Sequence, residues 1–86
     1  MPTISRFYGI TIMMYHDEHG RPHFHAAYGG RKFKISIWPL GFEGAEASPR
    51  VRSLVLEWAA LHQAELLANW DRMRRGEKPE PIAPLD

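Results

Sequence analysis

Apolar and polar residues follow a two-residue period in the first half of the chain and a helical period in the second half. Phe7 to Tyr15 is rich in β-branched and aromatic residues and is apolar on both faces, which predicts a central strand. His23 to Tyr28 and Arg31 to Ile37 flank Gly29-Gly30, and a two-residue glycine turn predicts a β-hairpin. The polar residues from His16 to Pro22 predict a loop.

The turn of this hairpin predicts which residues lie opposite each other. Counting back from Gly29-Gly30 places His25 opposite Lys34. This register separates apolar from polar side chains, and we expect the polar set to face solvent while the apolar set faces the interior. The apolar face receives Phe24, Ala26, Phe33 and Ile35, and the polar face receives His23, His25, Lys32, Lys34 and Ser36.

Ser48 and Pro49 predict the start of a long helix, because serine caps helix N-termini and proline suits the first helical position. Apolar residues then recur every three or four positions, which marks one buried side. We expect the helix to run to about Arg75 and to end at Gly76. The predicted buried stripe comprises Val51, Leu54, Val55, Trp58, Leu61, His62, Leu66, Trp70 and Met73.

The segments on either side of the helix are predicted to be irregular. Trp38 to Ser48 contains one proline and two glycines, which predicts a loop with at most a short edge strand near Phe42. Residues 77–86 contain three prolines and are expected to form an extended tail anchored by Ile82 and Leu85. The predicted fold is therefore α+β, with a three- to four-stranded antiparallel sheet and one long C-terminal helix packed on one face.

Composition limits the class of protein. The 86 residues, 44% hydrophobic and 24% charged, suffice for a single globular domain spanning residues 1–86. The formal net charge of +1 neither requires nor excludes a nucleic-acid partner. The absence of cysteine excludes disulfides and Cys-ligated zinc and is consistent with a cytoplasmic protein. Without a leader-like N-terminus or an apolar stretch of roughly 20 residues, we expect no membrane association.

Four of the five histidines fall in one short segment of the chain. His23 and His25 are two residues apart on a predicted strand, so their imidazoles share a face. One hypothesis is a transition-metal site, since neutral imidazole binds metals such as zinc and nickel. The candidate ligands are His16, His19, His23 and His25, with Asp17 or Glu18 as a carboxylate alternative.

A second hypothesis is action on RNA or another phosphate-bearing substrate. A reference pKa near ~6.5 lets histidine exchange protons at neutral pH, so His23 and His25 would act as acid and base. Lys34 completes the catalytic set, because an ammonium opposite His25 suits a phosphate better than a divalent cation. Arg21 and Lys32 would hold phosphate oxygens. RNA cleavage requires only an acid, a base and cations for the developing charge.

The same features also have structural explanations. Histidines on a polar sheet face are often solvated, and a histidine in a loop containing proline often braces the backbone. His62, on the apolar stripe of the helix, fits a core-edge histidine, and the arginines near the helix ends fit solvated charges. A third hypothesis is therefore a non-enzymatic interaction module, in which the histidines shape the loop and the sheet face or the tail binds a small protein.

Several segments resemble a family of small bacterial proteins known only as domain of unknown function 4160. The resemblance rests on Met1 to Ile10, on Pro22-His23-Phe24-His25, on helix segments 55–58 and 65–70, and on the closing residues 81–85. It covers nearly the whole chain. Where family members commonly have a second proline before the P-H-F-H element, this chain has Arg21.

The resemblance implies no established activity. Members are often encoded beside a second small protein, an arrangement that suggests a toxin–antitoxin module. We therefore expect a small cognate protein encoded nearby as partner, with RNA as a further partner, and a homo-oligomer as another way to stabilise so short a chain. The leading hypothesis is a toxin-like component of a two-protein module that acts on RNA or another phosphate-bearing substrate through the His/Lys face.

Overall fold

The strands form one antiparallel sheet in which the order in space equals the order along the chain. The computed structural model describes residues 2–16, 19–44 and 47–86. Within these residues the fold is α+β as predicted, but the sheet has five strands rather than three or four, and two helices replace the single long helix. The strands are β1 (Thr3–Phe7), β2 (Ile10–Met13), β3 (His23–Tyr28), β4 (Arg31–Ile37) and β5 (Leu40–Glu43), and the helices are α1 (Pro49–Leu61) and α2 (Gln63–Arg74).

The single strand expected from Phe7 to Tyr15 is in fact a turn followed by β2. Tyr8 and Gly9 have φ angles of 49° and 79°, and two consecutive positive φ values define a type I′ turn that reverses the chain after β1. Glycine adopts this conformation without strain, so Gly9 within the apolar run is the sequence signal for the turn. Within the segment after Trp38, the short edge strand expected near Phe42 is β5, which follows the turn at Trp38-Pro39.

The hairpin of β3 and β4 has the predicted register. Its turn residues Gly29 and Gly30 have φ angles of 57° and 78°, again the type I′ geometry. His25 lies opposite Lys34 and Phe24 lies opposite Ile35. The separation of apolar from polar positions along these two strands is therefore confirmed.

The helical region begins as predicted, but it is interrupted at His62, where one continuous helix was predicted. Ser48 Oγ accepts a hydrogen bond from Val51 N at 3.3 Å, so serine caps α1. His62, with φ −119° and ψ 23°, ends α1, and α2 starts at the next residue. Leu61, expected in the buried stripe, is 69% exposed beside this interruption. Gly76, with φ 78°, follows the end of α2 as expected.

Aromatic packing places α1 against the apolar face of the sheet. The Trp58 ring lies 5.4 Å from the Phe7 ring and 5.9 Å from the Phe24 ring, centroid to centroid. All three side chains are buried, and each large aromatic group removed from water contributes roughly 2–3 kcal/mol. Because side chains on a strand alternate, this contact turns the other face of the sheet away from α1.

The tail returns to the sheet instead of extending into solvent. Ile82 N donates to Ile4 O at 2.8 Å, which pairs the tail with the outer strand β1. Trp58 Nε1 donates to Ala83 O at 2.8 Å, so the same segment also completes the hydrogen bonding of a buried indole. Ile82 is buried and Leu85 packs against the core, as the sequence predicts.

Candidate functional site

The predicted site residues belong to the sheet face that turns away from α1. Residues directly opposite on neighbouring antiparallel strands project to the same side, so the registers order this face into rows. We call these residues the polar face. The upper row is Arg6, Thr11, Ala27 and Lys32; the middle row is Met13, His25, Lys34 and Glu43; the lower row is His23, Ser36 and Gly41.

His23 is a buried residue, which corrects the expectation that it faces solvent. It is 2% exposed, and its ring lies 5.0 Å from the ring of Trp70 on α2. Its Nδ1 lies 3.0 Å from Arg21 O, and since a carbonyl oxygen only accepts, Nδ1 carries the proton. The alternation of side chains along β3 correctly places His23 on the polar face, but α2 covers the end of this face where His23 lies. His23 therefore braces the loop before β3.

His25 is partly exposed, and its ring packs against two other aromatic rings. Its ring contacts the Tyr15 ring edge-on at 4.6 Å and lies 5.3 Å from the His23 ring. On β4 it faces Lys34. His23 and Tyr15 thus pack against an imidazole that solvent reaches in part, on the strand next to Lys34.

The cations of the site are spread over the polar face. Lys34 is exposed, and its Nζ lies 3.8 Å from Glu43 Oε1, a weak surface pair. Lys32 places its Nζ 5.2 Å from the centre of the Tyr15 ring. Arg21 is exposed two residues before His23, and the row of His23 is itself four strand residues, or ~13 Å, from the row of Lys32. Arg21 and Lys32 therefore cannot hold the same phosphate group, whereas Lys32 and Lys34 are neighbours on one face.

The metal hypothesis receives no support from the described geometry. His16 and His19 are exposed, whereas His23 is enclosed by protein. Among residues 2–16, 19–44 and 47–86, no group of three or more His, Asp or Glu side chains comes close enough together to hold a metal ion. Asp17 and Glu18, the carboxylate alternatives, lie outside the described residues. The four-histidine site and its zinc or nickel cofactor stay predictions.

Sequence reasoning missed the contribution of β5 to the polar face. Glu43 lies opposite Lys34 and Gly41 lies opposite Ser36. The signal was the alternation of Leu40 and Phe42 with polar or small residues after a tight turn, which predicts a strand rather than a loop. Within the described part of the chain, Ser36 Oγ and Glu43 Oε2 are buried atoms without a hydrogen-bond partner.

The fold and the polar face together define a class: a small α+β domain with a five-stranded antiparallel meander, the helix α1 on its apolar side, α2 over the His23 end of the polar face, and a histidine–lysine–glutamate row on that polar face. The chain belongs to the family described as domain of unknown function (DUF4160), whose model matches residues 9–71. No curated protein and no solved structure matches the chain. In the described residues, neither helix has both the length and the apolar character required to cross a membrane.

Proposed function

We propose that this protein is the toxin-like component of a bacterial two-protein module and that it acts on RNA through its polar face. The observation that carries the proposal is the pairing of His25 with Lys34 on adjacent strands. A half-buried imidazole beside an exposed ammonium provides a proton-exchanging group next to a phosphate-binding charge. A cytoplasmic location, where RNA is present, accompanies this proposal.

The charge distribution of the polar face supports a phosphate-bearing ligand. Arg6, Lys32 and Lys34 are exposed and lie in two adjacent rows. The carboxylate described in these rows, Glu43, lies at the outer strand β5. A surface with three exposed cations and one carboxylate at its edge attracts a polyanion.

The proposal changes the roles expected from the sequence. His23, enclosed between the loop and Trp70, supports the ring of His25 and does not contact substrate. His25 becomes the proton-exchanging residue, and Lys34 with Lys32 becomes the phosphate-binding pair. Arg21, at the lower end of the face, would contact a neighbouring nucleotide rather than the same phosphate.

The test is growth inhibition upon expression of single variants in a bacterial host. His25→Ala and Lys34→Ala are expected to abolish inhibition while the circular dichroism spectrum and thermal unfolding of the purified chains stay unchanged. Lys78→Ala, which removes an exposed cation from the tail, is the matched control and should inhibit growth as the natural chain does. Inhibition that persists in both polar-face variants would reject the proposal.

A second candidate function is the non-enzymatic interaction module. Two observations favour it: His23 shapes the loop, as that hypothesis expects, and Trp38 and Leu61 are 67% and 69% exposed. Large exposed apolar side chains are characteristic of protein-binding surfaces. Trp38 and Leu61 lie near the same end of the sheet. Gln63, two residues after Leu61, donates from Nε2 to the carbonyl oxygen of Ile37, the residue before Trp38, at 2.6 Å.

Co-expression with the small protein encoded nearby discriminates this candidate from the first. A binding surface at Trp38 predicts that Trp38→Ala reduces co-purification of the partner at least tenfold. Tyr8→Ala, at the opposite end of the sheet and 52% exposed, is the control and should leave co-purification unchanged. Equal recovery of the partner with both variants would exclude Trp38 from the interface.

A further inference from the structure

We propose that Glu43 is the general base of an RNA-cleaving reaction, that His25 is its general acid, and that the ribose 2′-hydroxyl is the group by which the site selects RNA over DNA. This inference rests on the proposed function and deepens it. It assigns chemistry to Glu43 on β5, a residue for which the sequence predicted no role.

The three residues lie in one row across three neighbouring strands. Glu43 faces Lys34 on one side, and His25 faces Lys34 on the other. Strands in a sheet are ~4.8 Å apart, so the carboxylate and the imidazole emerge about 10 Å apart with the ammonium between them. A phosphodiester seated over Lys34 is therefore reached by Glu43 and His25 from opposite sides, as in-line displacement at phosphorus requires.

The surface beside Glu43, at the outer end of the row, is where a ribose would bind. Glu43 Oε2 and Ser36 Oγ are buried and have no hydrogen-bond partner among the described residues. Buried polar atoms usually have a partner. The Glu43 side chain as a whole is 36% exposed, and its Oε1 lies 3.8 Å from Lys34 Nζ, so solvent reaches this side chain beside the ammonium. Gly41 lies opposite Ser36 and two residues before Glu43 on β5, and a Cβ placed there would meet no described heavy atom within 4 Å. The space over Gly41, beside Glu43, is therefore open to a small hydroxylated group.

The reaction balances without a further reactant. Glu43 accepts the proton of the 2′-hydroxyl, and the 2′-oxygen forms a bond to phosphorus. The bond from phosphorus to the 5′-oxygen of the next nucleotide breaks, and protonated His25 donates a proton to that oxygen. Lys34 stabilises the negative charge on the non-bridging oxygens. The products are a 2′,3′-cyclic phosphate and a free 5′-hydroxyl, and proton exchange with water restores both side chains.

The experiment measures cleavage of a labelled single-stranded oligoribonucleotide by the purified full-length chain. Glu43→Gln should lower kcat by at least ~100-fold, the usual contribution of a general base. Its Kd for the same oligonucleotide with 2′-deoxyribose throughout should change less than threefold. Glu43→Asp should recover part of the rate. Glu57→Gln makes the same change at an exposed position of α1 and should cleave at the natural rate.

The outcomes separate the inference from the function on which it rests. Cyclic-phosphate products from the natural chain, lost with Glu43→Gln and partly recovered with Glu43→Asp, would support the inference. Cleavage by Glu43→Gln within threefold of the natural chain would overturn the role of Glu43 and leave the proposed function intact. Cleavage of the all-deoxy oligonucleotide would overturn the role of the 2′-hydroxyl. A natural chain that neither binds nor cleaves RNA would overturn both proposals.

Discussion

His23 and His25 are two residues apart on one strand and face the same side of the sheet, yet their surroundings differ. His23 is enclosed by Trp70 and hydrogen-bonded to the backbone of Arg21, whereas His25 is half-buried beside Lys34. An enclosed imidazole contributes packing and a hydrogen bond, whereas an accessible one can exchange protons with a ligand. Burial therefore gives the first histidine a structural role, and we propose proton exchange for the second.

Replacing His23 should destabilise the protein strongly. His23→Ala removes a buried ring from contact with Trp70 and the hydrogen bond to Arg21 O, so we expect a loss of about 2–4 kcal/mol in the free energy of unfolding. Urea denaturation followed by tryptophan fluorescence measures this loss. His19→Ala, at an exposed position, should stay within ~0.5 kcal/mol of the natural chain. A loss below 1 kcal/mol for His23→Ala would contradict its structural role.

At this scale the sequence predicted the face of each histidine but not its burial. The two-residue period of β3 and the glycine turn determine that His23 and His25 lie on one side, and both follow from local geometry. The burial of His23 depends on Trp70, which is 47 positions later in the chain. No local sequence pattern predicts the contact between His23 and Trp70. The alternation of side chains along β3 therefore predicted that both histidines face solvent.

At the scale of helices and strands, contacts between segments that are distant in the sequence determine where an element ends when local sequence patterns do not. The interruption at His62 carries neither proline nor glycine, the usual signals of a helix end. It coincides with Gln63 Nε2 donating to Ile37 O at 2.6 Å and with His62 Nδ1 donating to Glu65 Oε1 at 2.6 Å. The start of α2 therefore contacts β4. The helical spacing of apolar residues continues through His62, so this spacing does not predict the break between α1 and α2.

Asn69, a buried side chain of α2, attaches the tail to the helix, together with Arg72, whose Nη2 lies 3.4 Å from Glu80 Oε1. Asn69 is 1% exposed, its Nδ2 donates to Glu80 O at 2.9 Å, and its Oδ1 accepts from Glu80 N at 2.8 Å and from Arg72 Nη1 at 2.8 Å. This amide replaces the backbone pairing that an extended segment otherwise lacks. It thereby positions Ile82 against β1.

Removing this side chain should release the tail. Asn69→Ala leaves both backbone groups of Glu80 without their partner, so we expect a loss of about 2–3 kcal/mol and faster hydrogen exchange at the Ile82 amide, which donates to Ile4 O. Asp71→Ala, at an exposed position of the same helix, is the control. Unchanged exchange at Ile82 in the Asn69 variant would show that the tail is held by other contacts.

At the scale of the whole molecule, the formal net charge of +1 conceals an uneven surface. Arg6, Lys32 and Lys34 are exposed on the polar face, while the apolar face is covered by α1. The family match covers residues 9–71, so it includes the histidine–lysine–glutamate row but not the tail that completes the core. Function is therefore expected to depend on the sheet, and the tail is expected to support stability.

The cations of the polar face predict the salt dependence of RNA binding. Three contacts to single-stranded phosphates correspond to a slope of about −2 for log K against log salt concentration, at about −0.7 per contact. Lys32→Ala should reduce the magnitude of the slope by about 0.7, whereas Lys78→Ala, in the tail, should leave it unchanged. Fluorescence anisotropy across a range of salt concentrations measures both slopes. Equal slopes for the two variants would remove Lys32 from the binding surface.

The most direct measurement is a nuclear magnetic resonance titration of the ¹⁵N-labelled chain with a single-stranded 2′-O-methyl oligoribonucleotide, an RNA analogue that cannot be cleaved. The account predicts saturable shifts of the backbone amides of His25, Lys34 and Glu43, with the amides of residues 63–74 unaffected. Shifts confined to Trp38 and Leu61, or no shifts at a millimolar concentration of oligonucleotide, would contradict an RNA-binding polar face.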